Sequence, residues 1–461
     1  MPTENLKIHF IGIGGIGVSA LAKYHLKKGS KISGSDLVSS EITEALKKLG
    51  AKIYIGHKIS NLKSQISNLK LPDLVIHSPA IPENNPELKE AKKLGIKCLS
   101  YPQALGELTK KYFTIAVSGT HGKSTTCAMI GLILAKAGLD PTVIVGTKLK
   151  EFGDSNCRVG KSQYLVIEAD EHMASFLRYF PKIIVLTNIE KEHLDYYRNL
   201  RNILKTYREY INHLPNDGML AANKDDKNIK EIVRDRISNG GPISLYCLKQ
   251  KEAKKLKKIL KVPGEHNIYN ALAALTAARV LKIPDRISFK AFSEYKGSWR
   301  RFEIKQSTIN KKQLTIISDY AHHPTEIKLT LKAARQKYPK NEIWCVFQPH
   351  QYQRTFYLFK DFVKVFKKTP INKLIITDIY DVAGREETKI KKLISSKKIV
   401  KAINKKEVLY IPAAEETADY LKKNLKGGEI LIIMGAGDIY KLSSKFTPHQ
   451  NLVGGKIQNY S

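Results

Sequence analysis

Residues 113–125 read FTIAVSGTHGKST, in which an apolar run passes directly into a glycine-containing loop. The run Phe113–Val117 predicts a buried strand, and the stretch Lys123–Ala137 predicts an amphipathic helix after the loop. Glycines let backbone N–H groups surround phosphates, while a lysine and a hydroxyl at the helix start reach the terminal phosphate and Mg²⁺. The loop is shorter than the GxxxxGKS pattern, because position 117 is Val. It predicts an ATP site made of Gly119, Thr120, His121, Gly122, Lys123, Ser124 and Thr125.

The same order of strand, turn and helix repeats on both sides of this segment. Continuous apolar runs indicate strands that are buried on both faces, as in parallel sheets with crossover helices. Ligands of such sheets bind at the carboxyl ends of the strands. The other predicted strands are Lys7–Ile11, Leu74–His77, Tyr164–Ile167, Ile183–Leu186, Leu314–Ile317, Ile343–Phe347, Leu374–Thr377 and Ile430–Met434, and further helices are predicted at Asn267–Leu281 and Pro324–Lys337.

A second glycine loop, GIGGIG at residues 12–17, follows the strand Lys7–Ile11 and opens a helix. This context satisfies the GxGxxG pattern, in which the helix N-terminus receives a pyrophosphate. Asp36 lies nineteen residues beyond Gly17 and is placed to meet a ribose hydroxyl. The pattern indicates a diphosphate beside a ribose, which both NAD and a UDP-sugar possess, and a glycine turn with a purely structural role remains open.

Acidic and imidazole side chains follow the next two strands of the central region. Glu168-Ala-Asp170-Glu171 ends one strand, and Thr187-Asn188 ends the next, with Glu192-His193 shortly afterwards. Mg²⁺ needs hard oxygen ligands besides a loop hydroxyl. We therefore expect Ser124, Glu168 and His193 to hold the metal, although a lone histidine of this kind can also be structural.

The composition excludes several classes of protein. A chain of 461 residues is too long for a single core, and no apolar run reaches the ~18 residues of a membrane helix. The net charge of +35 could indicate nucleic-acid binding, but Lys249–Lys261 and Lys389–Lys406 are patterned as solvated helix faces. Five scattered cysteines without a CxxC pair favour a reducing, cytoplasmic location.

Taken together, these motifs resemble those of the Mur ligases, the ATP-dependent amide ligases of peptidoglycan precursor synthesis. The resemblance runs from Ile8 to Gly437, with the motifs in the family's order. It is carried by GTHGKST at 119–125, EADE at 168–171, GEHNIYNAL at 264–272, RRFE at 300–303, DYAHHPTE at 319–326 and FQPHQYQRT at 347–355. The last of these favours the alanine-adding branch, although position 351 is Gln where the family commonly has Arg.

The resemblance implies an α/β fold of three domains, with boundaries near Leu108 and Gly297. Residues 1–108 would form a Rossmann-like domain that binds a UDP-sugar, and residues 109–297 a central P-loop ATPase-like domain. Residues 298–461 would form a second Rossmann-like domain that completes the ATP and amino-acid site. The implied substrates are ATP, UDP-N-acetylmuramate and L-alanine, with Mg²⁺ as the metal and neither nucleic acid nor a membrane as a partner.

The resemblance also implies a role for individual residues. The expected UDP-sugar contacts are Gly14, Gly15, Ile16, Gly17, Asp36, His57 and Ser78. Beyond the loop, the expected ATP contacts are His266, Asn267, Asn270, Arg301 and Asp319. The expected catalytic residues are Lys123, Asn188, His193, His350 and Arg354, of which the last two would orient the substrate and the alanine carboxylate.

Less specific interpretations of these motifs stay open at this point. His322 and His323 could be a pair at a helix start, Arg300 and Arg301 could be surface charges, and Gly435–Asp438 could simply end a strand and cap a helix. The whole chain could also be a nicotinamide oxidoreductase, another amide ligase such as a tripeptide-recycling or folate enzyme, or a nucleic-acid-binding protein.

Overall fold

The computed structural model describes residues 6–63, 71–382 and 387–446. The polar tail Asn451–Ser461 lies outside these ranges. The chain forms two compact units, one that ends at Trp299 and one that begins at Arg300.

The first unit begins with a five-stranded sheet of order β3-β2-β1-β4-β5, in which every pairing is parallel. Its central strands are apolar and buried on both faces, as the continuous runs predict. The strands are β1 (Lys7–Ile11), β2 (Lys31–Asp36), β3 (Lys52–Ile55), β4 (Leu74–His77) and β5 (Lys97–Ser100). The helices are α1 (Ile16–Lys27), α2 (Glu41–Lys48), α3 (Ile59–Lys63), α4 (Pro86–Lys93) and α5 (Tyr101–Thr109).

A seven-stranded sheet follows in the same unit, with the order β12-β11-β10-β6-β9-β7-β8. The pairing of β7 with β8 is antiparallel and the others are parallel. The strands are β6 (Phe113–Ser118), β7 (Thr142–Leu149), β8 (Ser155–Arg158), β9 (Tyr164–Ala169), β10 (Ile183–Leu186), β11 (Met219–Asn223) and β12 (Ile243–Tyr246). The helices are α6 (Lys123–Lys136), α7 (Leu194–Tyr197), α8 (Leu200–Ile211), α9 (Lys227–Ile232), α10 (Arg234–Ser238), α11 (Lys251–Ile259), α12 (Glu265–Val280) and α13 (Asp285–Glu294).

The two sheets of the first unit share one hydrophobic core, whose members run from Ile8 to Val233. Polar contacts join them as well. Asn156 in β8 donates from Nδ2 to the carbonyl of Ile16 at the start of α1, over 2.6 Å, and its Oδ1 accepts from Lys23 Nζ at 2.8 Å. The helix that follows the glycine loop of residues 12–17 is therefore held directly by the edge of the second sheet.

The second unit is built on a six-stranded sheet of order β13-β14-β18-β15-β16-β17. The β13–β14 pair is an antiparallel hairpin, and the remaining pairings are parallel. The strands are β13 (Glu303–Ile309), β14 (Lys312–Asp319), β15 (Ile343–Phe347), β16 (Lys373–Ile376), β17 (Val408–Tyr410) and β18 (Ile430–Met434). The helices are α14 (Pro324–Lys337), α15 (Tyr352–Tyr357), α16 (Phe359–Lys368), α17 (Thr388–Leu393), α18 (Ser396–Ile403) and α19 (Ala414–Asn424).

The predicted class of fold is confirmed. Five predicted strands have the predicted bounds, namely β1, β4, β10, β15 and β18. The others differ by one or two residues at one or both ends. The lysine-rich runs form α11 and the pair α17 and α18, as expected of solvated helices. Among the helices of the described ranges, none combines the length and apolar character that a membrane crossing requires.

Candidate active site

The phosphate loop lies between β6 and α6, at the carboxyl edge of the second sheet. Gly119 has φ of +131° and Gly122 has φ of +83°, a region that favours glycine. Neither position has room for a Cβ atom, because Thr187 lies against the first and the Asn270 side chain against the second. The glycines are thus required by both backbone conformation and close packing.

Two residues at the end of β10 hold the loop in place. Asn188 accepts from the backbone N–H of His121 at 2.9 Å and donates from Nδ2 to the His121 carbonyl at 3.0 Å. Thr187 donates from its hydroxyl to the same carbonyl at 2.6 Å. Asn188 was predicted to be catalytic. In this structure both hydrogen bonds of its side-chain amide go to the His121 backbone and hold the phosphate loop in shape.

Lys123 lies at the centre of a charged group that includes the buried Glu171 and the exposed Asp170. Its Nζ donates to the Gly119 carbonyl at 2.6 Å and to Glu171 Oε2 at 2.9 Å, and it lies 3.7 Å from Asp170 Oδ1. Burial opposes the charge on Lys123, but these carboxylates raise its pKa above the ordinary value. Burial also raises the pKa of Glu171 to about 7. The ammonium group is therefore held charged where a terminal phosphate would lie.

Oxygen ligands suited to Mg²⁺ surround the first turn of α6. Ser124 donates from its hydroxyl to Glu168 Oε2 at 3.0 Å, and Glu168 Oε1 accepts from the backbone N–H of Gly146 at 2.5 Å. The predicted pair of Ser124 and Glu168 is thus brought together.

His193, the third predicted metal ligand, belongs to a neighbouring cluster. Potential ligand atoms of Asp170, Glu171 and His193 all lie within 4.8 Å of one another, and Glu168 is not a member of this group. The ring of His172 contacts that of His193, with centroids 4.6 Å apart. Hard carboxylate and hydroxyl oxygens predominate in the two clusters together, which fits Mg²⁺.

The start of α12 carries three of the residues expected to contact ATP. Asn267 donates from Nδ2 to the Pro263 carbonyl at 2.7 Å, and Asn270 donates from Nδ2 to Asn267 Oδ1 at 3.2 Å. This leaves the carbonyl oxygen of Asn270 against Gly122. Asn267 and Asn270 are therefore joined to each other and to the phosphate loop, while His266 lies beside them in the first turn.

The residues predicted to bind the UDP-sugar line the carboxyl edge of the first sheet. Gly14 donates its backbone N–H to Asp36 Oδ2 at 2.8 Å, which fastens the glycine loop to the end of β2. His57 follows β3, and its Nδ1 lies 2.9 Å from the hydroxyl of Ser35. Ser78 follows β4 and donates its N–H to the Ile11 carbonyl at 2.9 Å. The four strand ends thus present these residues along one edge.

In the second unit, Asp319 is buried at the carboxyl end of β14. Its carboxylate accepts from the backbone N–H groups of Phe302 at 2.7 Å and Ala321 at 2.8 Å. Arg301, the other predicted ATP contact here, lies 3.9 Å from Glu326 and over the ring of Tyr320. Burial raises the pKa of Asp319 to about 6, because the neighbouring arginine and the two N–H groups offset it only in part.

Substitution of Asp319 with asparagine should change how stability depends on pH. An acid with a raised folded pKa contributes stability below its unfolded pKa, here 3.8, and loses it as the pH rises through about 6. Between pH 5 and pH 8 we expect the free energy of unfolding of the parent to fall by about 1 kcal/mol more than that of Asp319→Asn. Urea unfolding at both pH values measures this, with the exposed Asp361→Asn as the control, and a constant difference would contradict it.

The neighbouring Arg300 is not an ordinary surface charge. It is buried, donates to the Gly437 carbonyl at 3.0 Å and to that of Gly435, and its guanidinium lies between the rings of Tyr320 and Tyr440. It therefore fastens the loop after β18 to the start of the second unit's sheet.

The histidine pair before α14 has the arrangement expected of a helix start. His323 accepts at Nδ1 from the backbone N–H of Thr325, and Glu326 accepts from the N–H of His322 at 3.1 Å and of His323 at 3.3 Å. Gly435 likewise follows the last strand, and Asp438 precedes a 3-10 helix without capping it.

His350 and Arg354 are brought together, as the substrate-orienting role requires. Arg354 Nη1 donates to the His350 carbonyl at 3.0 Å and lies 3.2 Å from His350 Nδ1. The ring of Tyr380 stacks on that of His350, with centroids 5.4 Å apart. Tyr380 was not expected from the sequence, since a tyrosine several residues beyond a strand carries no pattern of its own.

Comparison with known proteins places these features in one family. Residues 7–113 match the Mur ligase family catalytic domain, residues 117–278 the Mur ligase middle domain, and residues 300–437 the Mur ligase glutamate ligase domain. The chain is 42% identical to a UDP-N-acetylmuramate–L-alanine ligase of Acetivibrio thermocellus, covering 98% of each chain. It is 41% identical to the enzyme of that name from Clostridium tetani, covering 95% of this chain and 97% of that one.

Solved structures agree. The crystal structure of a UDP-N-acetylmuramate–alanine ligase from Thermotoga maritima matches with a TM-score of 0.77 and 26% identity, over 96% of this chain and 98% of that one. A murein peptide ligase from Psychrobacter arcticus, 20% identical with a TM-score of 0.71 over 96% and 98% of the two chains, shares the fold. The chain belongs to the Mur ligase family.

Proposed function

We propose that the chain joins L-alanine to the carboxylate of UDP-N-acetylmuramate with the hydrolysis of ATP to ADP and phosphate, in peptidoglycan precursor synthesis. The observation that carries this proposal is the loop of Gly119–Thr125 with Lys123 and Ser124 in place, in a chain whose full-length relatives bear that activity in their names. The three domains that match in order are those of an ATP-dependent ligase family.

An amide cannot form directly from a carboxylate, because the oxygen is a poor leaving group. In the proposed sequence the lactyl carboxylate attacks the γ-phosphorus of ATP, the bond to ADP breaks, and an acyl phosphate forms. The amine of L-alanine then attacks the acyl carbon and expels phosphate, with loss of a proton from the nitrogen. The protein contributes mainly by positioning the groups and stabilising their charge.

The ATP end of this reaction would lie in the first unit. The backbone N–H groups of the loop and the ammonium of Lys123 would hold the phosphates, and Asn267 and Asn270 at the start of α12 would contact the nucleoside side. We infer that Mg²⁺ is held by Ser124 and Glu168, with His193 and its two neighbouring carboxylates completing the metal sites. The ion would neutralise part of the negative charge of the phosphates.

The UDP-sugar would lie along the carboxyl edge of the first sheet. The glycine loop and the N-terminus of α1 suit a diphosphate, and Asp36, whose Oδ1 accepts from the neighbouring Leu37 N–H, suits a ribose hydroxyl. In the second unit, the guanidinium of Arg354 offers a planar fork for the alanine carboxylate, with His350 beside it. The five cysteines are all free, which supports a reducing, cytoplasmic location.

Two other functions fit fewer observations. A nicotinamide oxidoreductase would use the glycine loop of residues 12–17, but that function does not explain the phosphate loop of residues 119–125 or the charged group around Lys123. A ligase for a peptide in place of alanine would use the same two glycine loops, and it would release phosphate with a peptide and not with L-alanine.

The first experiment is phosphate release from ATP in the presence of UDP-N-acetylmuramate, with L-alanine compared with other amino acids and short peptides. Release that requires both the nucleotide sugar and L-alanine is the expected result. Release with a tripeptide only would assign the chain to the recycling branch, and release without any need for the nucleotide sugar would contradict the UDP-sugar site.

A further inference from the structure

A fully buried carboxylate lies beneath the edge of the first sheet, and the proposed mechanism does not use it. Glu87 is in the first turn of α4, and its side chain is 0% exposed. Asn85 caps this helix by accepting from the N–H groups of Glu87 and Leu88, and Pro86 begins it. The position of the carboxylate is therefore fixed by the start of the helix itself.

Five groups surround this carboxylate. The Ser35 hydroxyl donates to Oε2 at 2.5 Å, and Asn61 Nδ2 and the backbone N–H of Lys58 donate to Oε1. His57 Nδ1 and His9 Nε2 lie 3.5 Å and 3.6 Å from Oε2. These neighbours come from β1, β2 and the segment after β3, so the network joins three successive parts of the sheet to α4.

The network keeps Glu87 ionised despite its burial. Burial alone would raise the pKa of Glu87, but the nearby His57 and His9 rings and the hydrogen bond from Ser35 outweigh it and lower the pKa to about 2. A buried charge of this kind is costly unless every lone pair is satisfied, and an apolar residue could fill the same space at less cost. A purely structural role therefore does not account well for it.

The network also determines which nitrogen of His57 carries hydrogen. An ionised carboxylate accepts only, and the single hydroxyl proton of Ser35 is given to Glu87. Nδ1 of His57, 2.9 Å from Ser35 Oγ and 3.5 Å from Glu87, must then be the donor. Because Nδ1 faces Ser35 and Glu87, Nε2 is the nitrogen that can contact a ligand at the strand ends. The side chain of His57 is 10% exposed.

We propose that Glu87 is a positioning residue for the nucleotide-sugar site, which through Ser35 fixes the tautomer and the orientation of His57. With hydrogen on Nδ1, Nε2 is thereby presented as an acceptor for a hydroxyl or N–H group of the nucleotide sugar. This inference rests on the proposed function of the first sheet and names how one of its residues is prepared.

A double-mutant cycle with Glu87→Gln and His57→Ala tests the proposal on the full-length enzyme. The glutamine amide can donate to Ser35 and so reverse the chain of donors, which would leave Nδ1 as the acceptor. We expect each single variant to raise the Kd for UDP and the KM for UDP-N-acetylmuramate by about 10-fold, and the double variant to be little worse than His57→Ala. The KM for ATP should not change. Additive effects of the two substitutions would overturn the proposal.

A spectroscopic measurement separates this role from a merely structural one. In ¹H–¹⁵N spectra of the imidazoles, with His57 identified by its loss in His57→Ala, the parent should show hydrogen on Nδ1, and Glu87→Gln should move it towards Nε2. The same tautomer in both proteins would contradict the proposal. If Glu87→Gln does not fold, Ser35→Ala removes the bridging hydroxyl while the carboxylate stays, and it should weaken UDP binding in the same direction.

The matched control is Glu83→Gln, because Glu83 precedes the same helix, is 81% exposed and pairs with Lys92 on the surface. It should leave UDP binding, the tautomer and the melting temperature unchanged. Two failures are distinguishable. A parent that binds no UDP contradicts the proposed nucleotide-sugar site, whereas a parent that binds UDP equally well after Glu87→Gln contradicts the role of Glu87 alone.

Discussion

Lys123→Ala is expected to lower the rate of phosphate release by a hundredfold or more, while the protein still binds UDP. The ammonium group lies at the phosphate loop, with Nζ 2.6 Å from the Gly119 carbonyl. Removal of a preorganised group that stabilises transferred charge typically costs 10²–10³ in rate. Steady-state phosphate release with all three substrates saturating measures the effect.

The same substitution should have a second consequence in the ligand-free protein. It leaves the buried Glu171 carboxylate, and the exposed Asp170 beside it, without their ammonium partner, so the melting temperature should fall as well. Lys136→Ala is the matched control, since Lys136 is in the last turn of the same helix and pairs with Glu294 near the surface. Near-normal turnover in Lys123→Ala would contradict the phosphate-loop assignment.

Arg354→Ala is expected to raise the KM for L-alanine by about 100-fold, with little change in the KM for ATP. A charge-assisted, two-point contact to a carboxylate is worth roughly 2–3 kcal/mol, which corresponds to this factor. The guanidinium is already oriented by the His350 carbonyl at 3.0 Å, so little ordering is left for the bound state. The measurement is the alanine dependence of phosphate release at saturating ATP and UDP-N-acetylmuramate.

Two further variants show whether the geometry or only the charge of Arg354 matters. Arg354→Lys keeps the charge and loses the planar fork, so it should recover only part of the affinity. Lys360→Ala removes an exposed positive charge from the neighbouring helix α16 and should have no effect. An unchanged alanine KM in Arg354→Ala would remove this residue from the amino-acid site.

The strands and phosphate loops were predictable because local patterns determine them. A buried parallel strand is a continuous apolar run, so Ile183–Leu186 and Ile430–Met434 could be delimited to the residue. The glycine loop of 119–125 is likewise visible, because its positive φ angles at Gly119 and Gly122 require glycine.

The contacts between distant segments were not predictable in the same way. Asn156 and Glu87 are typical of ordinary turns and helix starts in sequence, and their partners in α1 and at Ser35 and His57 are set only when the sheets assemble. For Asn188, the position was predictable but the contacts were not. Its place at the end of a strand was expected, but its hydrogen bonds to the His121 backbone depend on the loop's fold.

The shared core of the first unit has a consequence for how such enzymes can be recombined. A chimaera with its junction near Leu108 would separate Leu105 and Leu108 from Phe176 and Tyr179, with which they share a core. It would also separate Asn156 from its hydrogen-bond partner in α1. A chimaera that exchanged the first sheet alone would have to rebuild that apolar surface residue by residue. A chimaera that takes the first two sheets from one parent and changes parent after Trp299 keeps these contacts between residues of the same parent. This junction is therefore the one to use when new specificities are engineered.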